Sequence, residues 1–386
     1  MTPGLTGPAF VADPYPTLTA LRAEGPVVAG DGQWFATTHH AVSQVLRHRS
    51  FGRLWTDHEP RDAMEPFNTL HRNQMMENEG ETHRRLRKLV SSAFGRGHVE
   101  RMRPRVEALA AEMVGRLGDS FDVLAEYAEP MPVYVIADLL GVPREDEAFL
   151  RAWSQAIVHM YEPDVPESTR AAAVTASEHF AEYVRGVIDH RRANPGPDLI
   201  TDLLAARDAG MALSDDELVA SIVLLLNAGH EASVNAFGNG LHALLSAPSQ
   251  LRRITSGEVS VDTALEELLR FDAPLQLFQR TATEDVQIAG VGIAAGETVS
   301  CLMGSANRDE AVFQHADQLD VGRDPNPHVG FGMGRHFCLG APLARMELQI
   351  SLTALLDRFP RLMLVGEAPR RPTWVLRGFE SIEVGA

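Results

Sequence analysis

This sequence contains little that points outside an ordinary globular protein. Cysteine occurs only twice in 386 residues, as Cys301 and Cys338, which excludes a disulfide scaffold and a cysteine-rich zinc site. No apolar run approaches the roughly 18 residues of a membrane span, and residues 1–16 have no basic stretch before an apolar one. The scarcity of cysteine and of apolar runs predicts a cytoplasmic protein without an export signal or a membrane anchor.

Positive charge is scarce too. Lys88 is the only lysine, and 35 basic residues face 52 acidic ones, which gives a formal net charge of -17. Such a charge repels polyanions, so nucleic acid is excluded as an expected partner. Hydrophobic residues make up 45% of the chain, and no repeat, linker or change of composition divides it. We therefore expect one globular domain over residues 1–386.

Helical periodicity dominates residues 97–269, where apolar residues recur every three or four positions. The longest helix opens at Ser214, has Glu217 three positions later in a capping box, and continues without proline to Ala247. Its centre is apolar on every side, which predicts a helix that crosses the middle of the protein.

β-Structure is confined to short segments. Asp31-Gly32 is a strong two-residue turn signal between residues 27–29 and 34–37, which predicts a hairpin. Further strands are expected beyond Pro274, at residues 286–288, 297–303, 374–376 and 381–384. Together these patterns predict a mainly α protein with small β-sheets.

A glycine-rich loop surrounds the second cysteine. Three glycines, at positions 330, 332 and 334, precede Cys338, and Gly340 follows it before a helical run over residues 343–356. A cysteine at the start of a helix lies near backbone N–H groups and the positive end of the helix dipole, which favour thiolate over thiol. Glycines also let a bulky flat group approach the backbone closely. Taken alone, the same residues fit a glycine-rich turn around a buried structural cysteine.

The residues around Cys338 favour a thiolate beside a bulky flat group over a structural cysteine. The spacing Phe331-x-x-Gly334-x-x-x-Cys338-x-Gly340 resembles the haem-binding signature of the cytochrome P-450 monooxygenases, and the chain is similar to this family from end to end. The resemblance implies the cytochrome P-450 fold, with haem b between the long helix and the helix that follows the cysteine. It also implies that the Cys338 thiolate is the iron ligand and that Phe331, Gly332 and Gly340 lie against the haem.

The resemblance assigns two further sets of residues. Glu267 and Arg270 match the family's ExxR motif, which implies a buried structural pair rather than a catalytic one. Cys301, in a strand-like stretch, is expected in the core. Four cationic residues are implied as partners of the haem propionates, and these are His83, Arg87, Arg280 and His336.

The long helix departs from the family at one position. Residues 228–233, Ala-Gly-His-Glu-Ala-Ser, match the family's oxygen-binding motif, and Glu231 is the acid expected in proton transfer. A glycine in the middle of a helix, such as Gly229, lowers helix stability by about 1 kcal/mol relative to alanine. Its presence despite this cost suggests that it makes space for dioxygen. Ala232 occupies the position of the family's threonine, whose hydroxyl helps protons reach the iron. The neighbouring Ser233 lies about 100° around the helix.

Three explanations for the missing hydroxyl stay open. A substrate hydroxyl or an ordered water could replace it, as in some family members on macrolide pathways that also carry alanine here. Ser233 could turn inward through a local distortion of the helix. Alternatively, the reaction could be an oxidation without oxygen insertion, such as aryl coupling, in which this proton route matters differently.

The resemblance implies a haem-thiolate monooxygenase that oxidises a mostly apolar small molecule in secondary metabolism. Catabolic oxidation of a steroid, a fatty acid or a xenobiotic is the alternative within the family, and a non-catalytic haem sensor or recruitment protein is the alternative of another class. The side chains expected to face the substrate are mostly apolar, with core packing as the alternative for each. They are Met75, Met76, Asn227, Ala228, Gln276, Leu277, Phe278, Trp374 and Val375.

Electrons are expected to come from other proteins. The resemblance implies NAD(P)H as their source, with a separate ferredoxin reductase and ferredoxin, and no flavin or iron–sulfur segment is expected in the chain. Arg84 and Lys88 share a helix face turned away from His83 and Arg87, which predicts exposed positive charge that attracts an acidic ferredoxin. A solvated arginine face is the alternative. Whether the substrate arrives free or on a carrier protein stays open.

Overall fold

Helices form most of the described chain. The computed structural model describes residues 4–91, 93–163, 165–208 and 213–386. In chain order the helices are α1 (Pro8–Ala12), α2 (Tyr15–Glu24), α3 (His39–Arg47), α4 (Arg61–Arg72), α5 (Gly80–Ser91), α6 (Arg96–Val114), α7 (Pro130–Leu140), α8 (Glu147–Val158), α9 (Glu167–Ala193), α10 (Leu199–Asp208), α11 (Asp215–Leu245), α12 (Pro248–Thr255), α13 (Val261–Phe271), α14 (Met303–Ala306) and α15 (Ala341–Arg358). Short 3-10 turns are found at Met75–Glu77, Arg144–Asp146, His159–Tyr161 and Gly334–His336, and a π-helical turn at Leu124–Ala128.

The strands form three small sheets. They are β1 (Val27–Gly30), β2 (Gln33–Ala36), β3 (Phe51–Gly52), β4 (Ser120–Asp122), β5 (Leu277–Ala282), β6 (Val286–Ile288), β7 (Val291–Ile293), β8 (Thr298–Leu302), β9 (Met363–Leu364) and β10 (Glu383–Gly385). The five-stranded sheet has the order β1-β2-β8-β5-β3, in which β2 and β8 are parallel and the other neighbours antiparallel. The other sheets are antiparallel, with the orders β4-β10-β9 and β6-β7.

The chain divides into two compact units. The first comprises Met1–Gly52, Arg105–Ala128 and Ala232–Ala386, and it contains the three sheets, α12, α13 and α15. The second comprises Arg53–Pro104 and Glu129–Glu231, and it contains α4, α5 and α7 to α10. The helices α6 and α11 run through both units. The expected single domain stays a prediction.

Side-chain caps and apolar burial position the helices of the first unit. The Thr38 hydroxyl accepts a hydrogen bond from the Ala41 N–H at 3.2 Å and starts α3. In the same way, Ser260 Oγ accepts from the Thr263 N–H at 3.1 Å and starts α13. Val42 of α3 is fully buried in the apolar cluster that includes the strands of the main sheet. The caps therefore fix where each helix begins, and burial fixes which face it presents to the core.

The long helix α11 begins with the predicted capping box. The Glu217 N–H donates to Ser214 Oγ at 3.0 Å, and the Ser214 N–H donates to Glu217 Oε2 at 3.0 Å. The Glu217 carboxylate also pairs with Arg85 of α5. Within the described residues, α11 is the one helix long and apolar enough to cross a membrane, but most of its apolar section is buried inside the protein. It is therefore a core helix, as its apolar centre predicted.

The mainly α fold with small β-sheets is confirmed. The predicted hairpin is confirmed as well, since β1 pairs with β2 across the Asp31-Gly32 turn. The strand expected at residues 374–376 is wrong, because this segment forms only an isolated bridge from Leu376 to Leu275. A side-chain pattern alone did not show that this segment has no neighbouring strand along its length.

Candidate active site

The loop before α15 is closed by its own backbone. The Cys338 N–H donates to the Phe331 carbonyl at 2.9 Å, and the Phe337 N–H donates to the Gly334 carbonyl at 3.1 Å. Cys338 lies between the last 3-10 turn and the first residue of α15, Ala341. These bonds hold the cysteine beside the start of a helix, as the sequence pattern predicted.

The two cysteines differ in accessibility. Cys301 lies on β8 and is fully buried, and burial raises the pKa of its thiol to about 12. Cys338 is only half-buried, although Ala341 and Leu343, which follow it on α15, are buried. Cys338 is therefore the more exposed of the two cysteines, and Cys301 is a core residue, as expected.

Gly334 is required by the shape of this loop. Its φ angle is 71°, in the left-handed region that favours glycine. An added Cβ atom would lie 2.3 Å from the Leu46 carbonyl oxygen at the end of α3. Gly334 therefore allows the loop to contact the end of α3, and the close approach of a flat group to the loop stays a prediction.

Glu267 and Arg270 form the buried pair that the ExxR motif predicted. Both side chains are fully buried, and Nε and Nη2 of Arg270 each donate to a Glu267 carboxylate oxygen at 2.7 Å. Arg323 Nε donates to the same carboxylate at 3.0 Å, and Asn326 Nδ2 donates at 3.1 Å. Because Asn326 lies two residues before His328, the pair anchors the segment that leads into the cysteine loop.

Sequence reasoning missed the neighbouring acid, Glu266. Its carboxylate accepts from Arg345 Nε at 2.6 Å and Arg345 Nη2 at 2.8 Å, and His328 Nε2 lies 2.9 Å away. Arg345 lies on α15, and its guanidinium covers the Phe331 ring at 4.4 Å from the ring centroid. The two consecutive acids at 266 and 267 were the available signal for a second ion pair. Adjacent side chains on a helix point about 100° apart, so each acid contacts different residues.

The four predicted propionate partners are divided between the two units. In the first unit, Arg280 of β5 is buried with its guanidinium 4.5 Å from the centroid of the Phe278 ring, and His336 is half-buried at the end of a 3-10 turn. In the second unit, His83 is buried and Arg87 half-buried, one turn apart on α5. Basic side chains that are buried or partly buried suit the carboxylates of haem propionates. Their role stays a prediction.

The buried section of α11 is open on one side. Between residues 218 and 241 every residue is buried except Ala228, Gly229 and Ala232, which we call the open stripe. Ser233 is 8% exposed and lies outside the open stripe. The helix is α-helical at each residue from 215 to 245, without the distortion that would turn Ser233 inward. The residue in the threonine position therefore faces the accessible side, and it carries no hydroxyl.

Gly229 has a packing role that the sequence did not show. An added Cβ atom would lie 3.1 Å from Cγ1 and 3.3 Å from Cβ of Ile136 on α7. This spacing is tighter than ordinary van der Waals contact, so the glycine lets the two helices approach each other. Gly229 therefore has a role in helix packing, and space for dioxygen beside it stays a prediction.

Two polar side chains beside the open stripe are buried. Glu231 is buried, with its Oε2 atom 3.8 Å from Nδ1 of His230. Asn227 is 9% exposed, and its Oδ1 atom accepts no hydrogen bond from the residues that the structure describes. The acid expected in proton transfer is therefore inside the protein beside an imidazole. Its catalytic role stays a prediction.

Five of the residues expected to face the substrate are accessible. Ala228 belongs to the open stripe, Met75 and Met76 are half-buried in a 3-10 turn, and Leu277 and Phe278 are half-buried at the start of β5. Partly accessible apolar side chains of this kind suit a pocket for a mostly apolar ligand. Their contact with a substrate stays a prediction.

The other expected substrate residues in the first unit form contacts within the protein core. Gln276 Nε2 donates to the Ala273 carbonyl at 2.7 Å, and the Gln276 N–H donates to the Val375 carbonyl at 2.9 Å. Trp374 is buried edge-on against Phe10, with 5.1 Å between the ring centroids. These contacts favour core packing, the alternative that the sequence left open for Gln276, Trp374 and Val375.

Comparison with known proteins gives consistent matches along the chain. The family model for cytochrome P-450 matches residues 33–257 and 260–376. The cytochrome P-450 monooxygenase PikC of Streptomyces venezuelae is 37% identical, over 99% of this chain and 93% of its own length. The 6-deoxyerythronolide B hydroxylase of Saccharopolyspora erythraea is 36% identical, over 99% of this chain and 98% of its own. The crystal structure of P-450BioI with an acyl carrier protein ligated to hexadec-9Z-enoic acid has a TM-score of 0.94 and 31% identity, and the match covers 98% of this chain and 99% of that one.

An accessible cysteine held beside a helix start is the arrangement of a haem-thiolate protein. The chain belongs to the cytochrome P-450 family. It is a monooxygenase with haem as its cofactor and with NAD(P)H as the source of electrons through separate redox proteins. The residues of the first unit fit haem, because Cys338 is partly exposed beside the start of α15 and Arg280 provides a buried cation.

The ligand assignment can be tested by removing each cysteine in turn. We expect Cys338→Ser to lose the spectrum of a thiolate-ligated ferrous carbon-monoxide complex, because serine does not supply a thiolate. We expect Cys301→Ala to keep this spectrum, because Cys301 is a core residue. Absorption spectra of the purified, reduced proteins under carbon monoxide measure both. A thiolate spectrum in Cys338→Ser would contradict the assignment.

The requirement for Gly334 can be tested against a glycine in open space. Gly334→Ala and Gly257→Ala both place a side chain at positive φ, 71° and 76° respectively, which costs about 1–2 kcal/mol. Only Gly334→Ala also forces a Cβ atom against the Leu46 carbonyl, since nothing lies within 4 Å of a Cβ at Gly257. We therefore expect Gly334→Ala to lower the unfolding midpoint of the haem-loaded protein clearly more than Gly257→Ala. Equal midpoints would show that the loop moves away from α3 without cost.

Proposed function

We propose that this monooxygenase hydroxylates or otherwise oxidises a hydroxyl-bearing, mostly apolar product of secondary metabolism, of the macrolide polyketide type. The open stripe of α11 carries the proposal, because the threonine position on it holds Ala232, so the chain offers no hydroxyl there. The similarity to 6-deoxyerythronolide B hydroxylase supports this substrate class. Localisation in the cytoplasm is part of the proposal.

Haem, when bound, supplies the activation of dioxygen and the oxidation of carbon. The chain's own residues then have three tasks. Cys338 provides the thiolate at the loop before α15, and the accessible apolar side chains orient the substrate. Glu231, buried beside His230, is the residue that we propose for proton transfer. General acids in such positions typically contribute about 10²–10⁴-fold to a rate.

A substrate hydroxyl or an ordered water completes the proton route in this proposal. Ala232 is accessible but has no polar atom, and Ser233 is buried on another side of a regular helix. The group that passes a proton onward at the open stripe must therefore come from the ligand or from solvent. Of the three explanations for the missing threonine, the described geometry supports this one.

The experiment compares a hydroxyl-bearing macrolactone with its deoxy analogue. We expect the wild-type enzyme to form several-fold more product per NADPH with the hydroxyl-bearing compound, because its hydroxyl replaces the missing one directly, whereas the deoxy analogue leaves this task to solvent alone. Ala232→Thr restores a hydroxyl at the open stripe, so it should raise product formation with the deoxy analogue. Product and NADPH consumption are measured in the same reaction, with a surrogate ferredoxin and reductase.

Two results would contradict this proposal. If Ser233→Ala lowered product formed per NADPH with both compounds, Ser233 would be the proton donor. If the haem spectrum shifted on adding steroids or fatty acids and not on adding macrolactones, the substrate would belong to catabolism. Water displacement from ferric haem, followed in the Soret band, identifies which class binds.

The exposed cations of α5 support docking of a separate ferredoxin. Arg84 and Lys88 are exposed, and neither forms an ion pair with the residues that the structure describes, whereas Arg85 between them pairs with Glu217. Every arginine of α4 and α9 is paired with an acid, for example Arg72 with Asp57 at 2.8 Å. Unpaired positive charge on an acidic protein attracts an acidic electron donor.

Charge reversal tests this docking surface. We expect the double variant Arg84→Glu, Lys88→Glu to be reduced by ferredoxin about tenfold more slowly at low salt, with the difference shrinking as salt screens it. Reduction by dithionite should be unchanged, because it needs no docking. The control is the double variant Arg61→Glu, Arg72→Glu, which changes the net charge by the same amount at two exposed arginines that are paired with acids of the second unit. Equal slowing by both variants would point to net charge rather than to this surface.

The paired arginines also bear on how the substrate arrives. P-450BioI forms its complex with an acyl carrier protein, and delivery on such a carrier is the alternative here. The arginines of α4 and α9, which could otherwise bind an acidic carrier protein, are paired with acids of the same chain. We therefore propose a free substrate. A carrier-bound substrate that was oxidised faster than the free compound would contradict this.

A further inference from the structure

Two adjacent acids of α13 hold two different parts of the first unit. Glu267 binds Arg270 and Arg323 within the protein interior. Glu266 instead accepts from Nε and Nη2 of Arg345 at 2.6 and 2.8 Å, and His328 Nε2 lies 2.9 Å from its carboxylate. The two carboxylates point in different directions because neighbouring helix positions are about 100° apart. Glu266 therefore contacts both the residue where the cysteine loop begins and the helix that follows the loop.

The contacts continue from Glu266 to the cysteine in two steps. The Arg345 guanidinium covers the Phe331 ring at 4.4 Å, and the Phe331 carbonyl accepts the Cys338 N–H at 2.9 Å. At the start of the loop, His328 Nδ1 accepts the Gly330 N–H at 3.1 Å, which leaves Nε2 as the protonated nitrogen facing Glu266. Both ends of the loop are thus tied to one carboxylate.

The charge of this carboxylate is maintained in the folded protein. Burial raises the pKa of the Glu266 carboxyl, but hydrogen bonds from Arg345 and His328 outweigh burial and hold the pKa at about 2. The Arg345 cation is therefore neutralised by a partner at any working pH. Loss of the Glu266 carboxylate would leave the Arg345 cation without that partner. This cation lies over the ring of Phe331, the residue whose backbone carbonyl accepts the Cys338 N–H.

We propose that Glu266 is a positioning residue for the thiolate, because it fixes the Cys338 loop at both ends through His328 and Arg345. The proposal rests on Cys338 as the iron ligand. Groups that orient a metal ligand typically change metal affinity or activity about 10–100-fold when they are removed. Glu266 acts in this way without touching the iron or the substrate.

The test uses Glu266→Ala and Glu266→Gln in the haem-loaded protein. We expect the fraction of the reduced carbon-monoxide complex that lacks thiolate ligation to rise about tenfold in Glu266→Ala. Glu266→Gln keeps the size of the side chain but removes its charge, so we also expect a raised midpoint potential of the haem. An unbalanced cation near the site favours the reduced, more negative state. Glu266→Asp, which keeps the charge, should restore most of the thiolate fraction.

A second variant separates geometry from charge. Arg345→Lys keeps the cation but loses the two-pronged contact with the carboxylate, so it should also raise the fraction without thiolate while shifting the potential less. This variant keeps the proposal testable if Glu266→Ala fails to retain haem. Cys338→Ser loses the thiolate spectrum in every background, which distinguishes a wrong ligand from a wrong positioning residue.

The control is an ion pair of the same kind in the second unit. Asp138 accepts from Arg144 Nε at 3.1 Å and Arg144 Nη2 at 2.6 Å, and both side chains are partly exposed, as Glu266 and Arg345 are. Asp138→Asn should change neither the thiolate fraction nor the potential. If both Glu266→Gln and Arg345→Lys keep the wild-type thiolate fraction and potential, the pair is only structural and the proposal is wrong.

Discussion

The buried carboxylate of Glu267 is the interaction on which the cysteine side of the first unit depends. It accepts hydrogen bonds from Arg270, Arg323, Asn326 and the Asp320 N–H. The Arg270 guanidinium has no contact with solvent, and its remaining donors bind backbone carbonyls of residues 307, 316 and 318. Removing one partner of such a pair leaves a buried charge uncompensated and costs about 3–5 kcal/mol, whereas the intact pair adds little net stability. The pair therefore determines the path of the chain toward the cysteine loop more than it determines stability.

Sequence reasoning located the parts of this site that depend on local spacing. The cysteine loop, the ExxR pair and the capping box of α11 each place their residues within one helical turn or one loop, so the spacing alone fixes their geometry. The parallel pairing of β2 with β8 and the contacts of Glu266 join segments far apart in the sequence. No local pattern encodes such pairings. For the same reason, residues 374–376 looked like a strand although the fold gives them only a single bridge.

The long helix α11 contains one residue whose position was predicted from the sequence and one whose packing role was not. Helical geometry correctly predicted that Ser233 lies on a different side from Ala232, because one residue turns the helix by about 100°. It did not show that the missing side chain of Gly229 also makes room for Ile136 of α7. A glycine in a helix shows that something approaches closely, but only the packed structure shows whether the neighbour is a ligand or another helix. The open stripe therefore shows less than the oxygen-binding motif implies, because it shows only which small residues of α11 remain accessible after the helices have packed.

The distribution of charge connects the acidic composition to the electron supply. A net charge of -17 means that acids are available to pair with most arginines, and the arginines of α4 and α9 are all paired in this way. A cation can attract a partner only when an internal acid does not already neutralise it. On α5, Arg85 is taken up by Glu217 at the start of α11, which leaves Arg84 and Lys88 as its exposed cations without such an acid. The capping box of the long helix therefore also determines which charges of α5 remain available to a partner, so the Glu217 carboxylate links the position of the core helix to the docking surface that we propose.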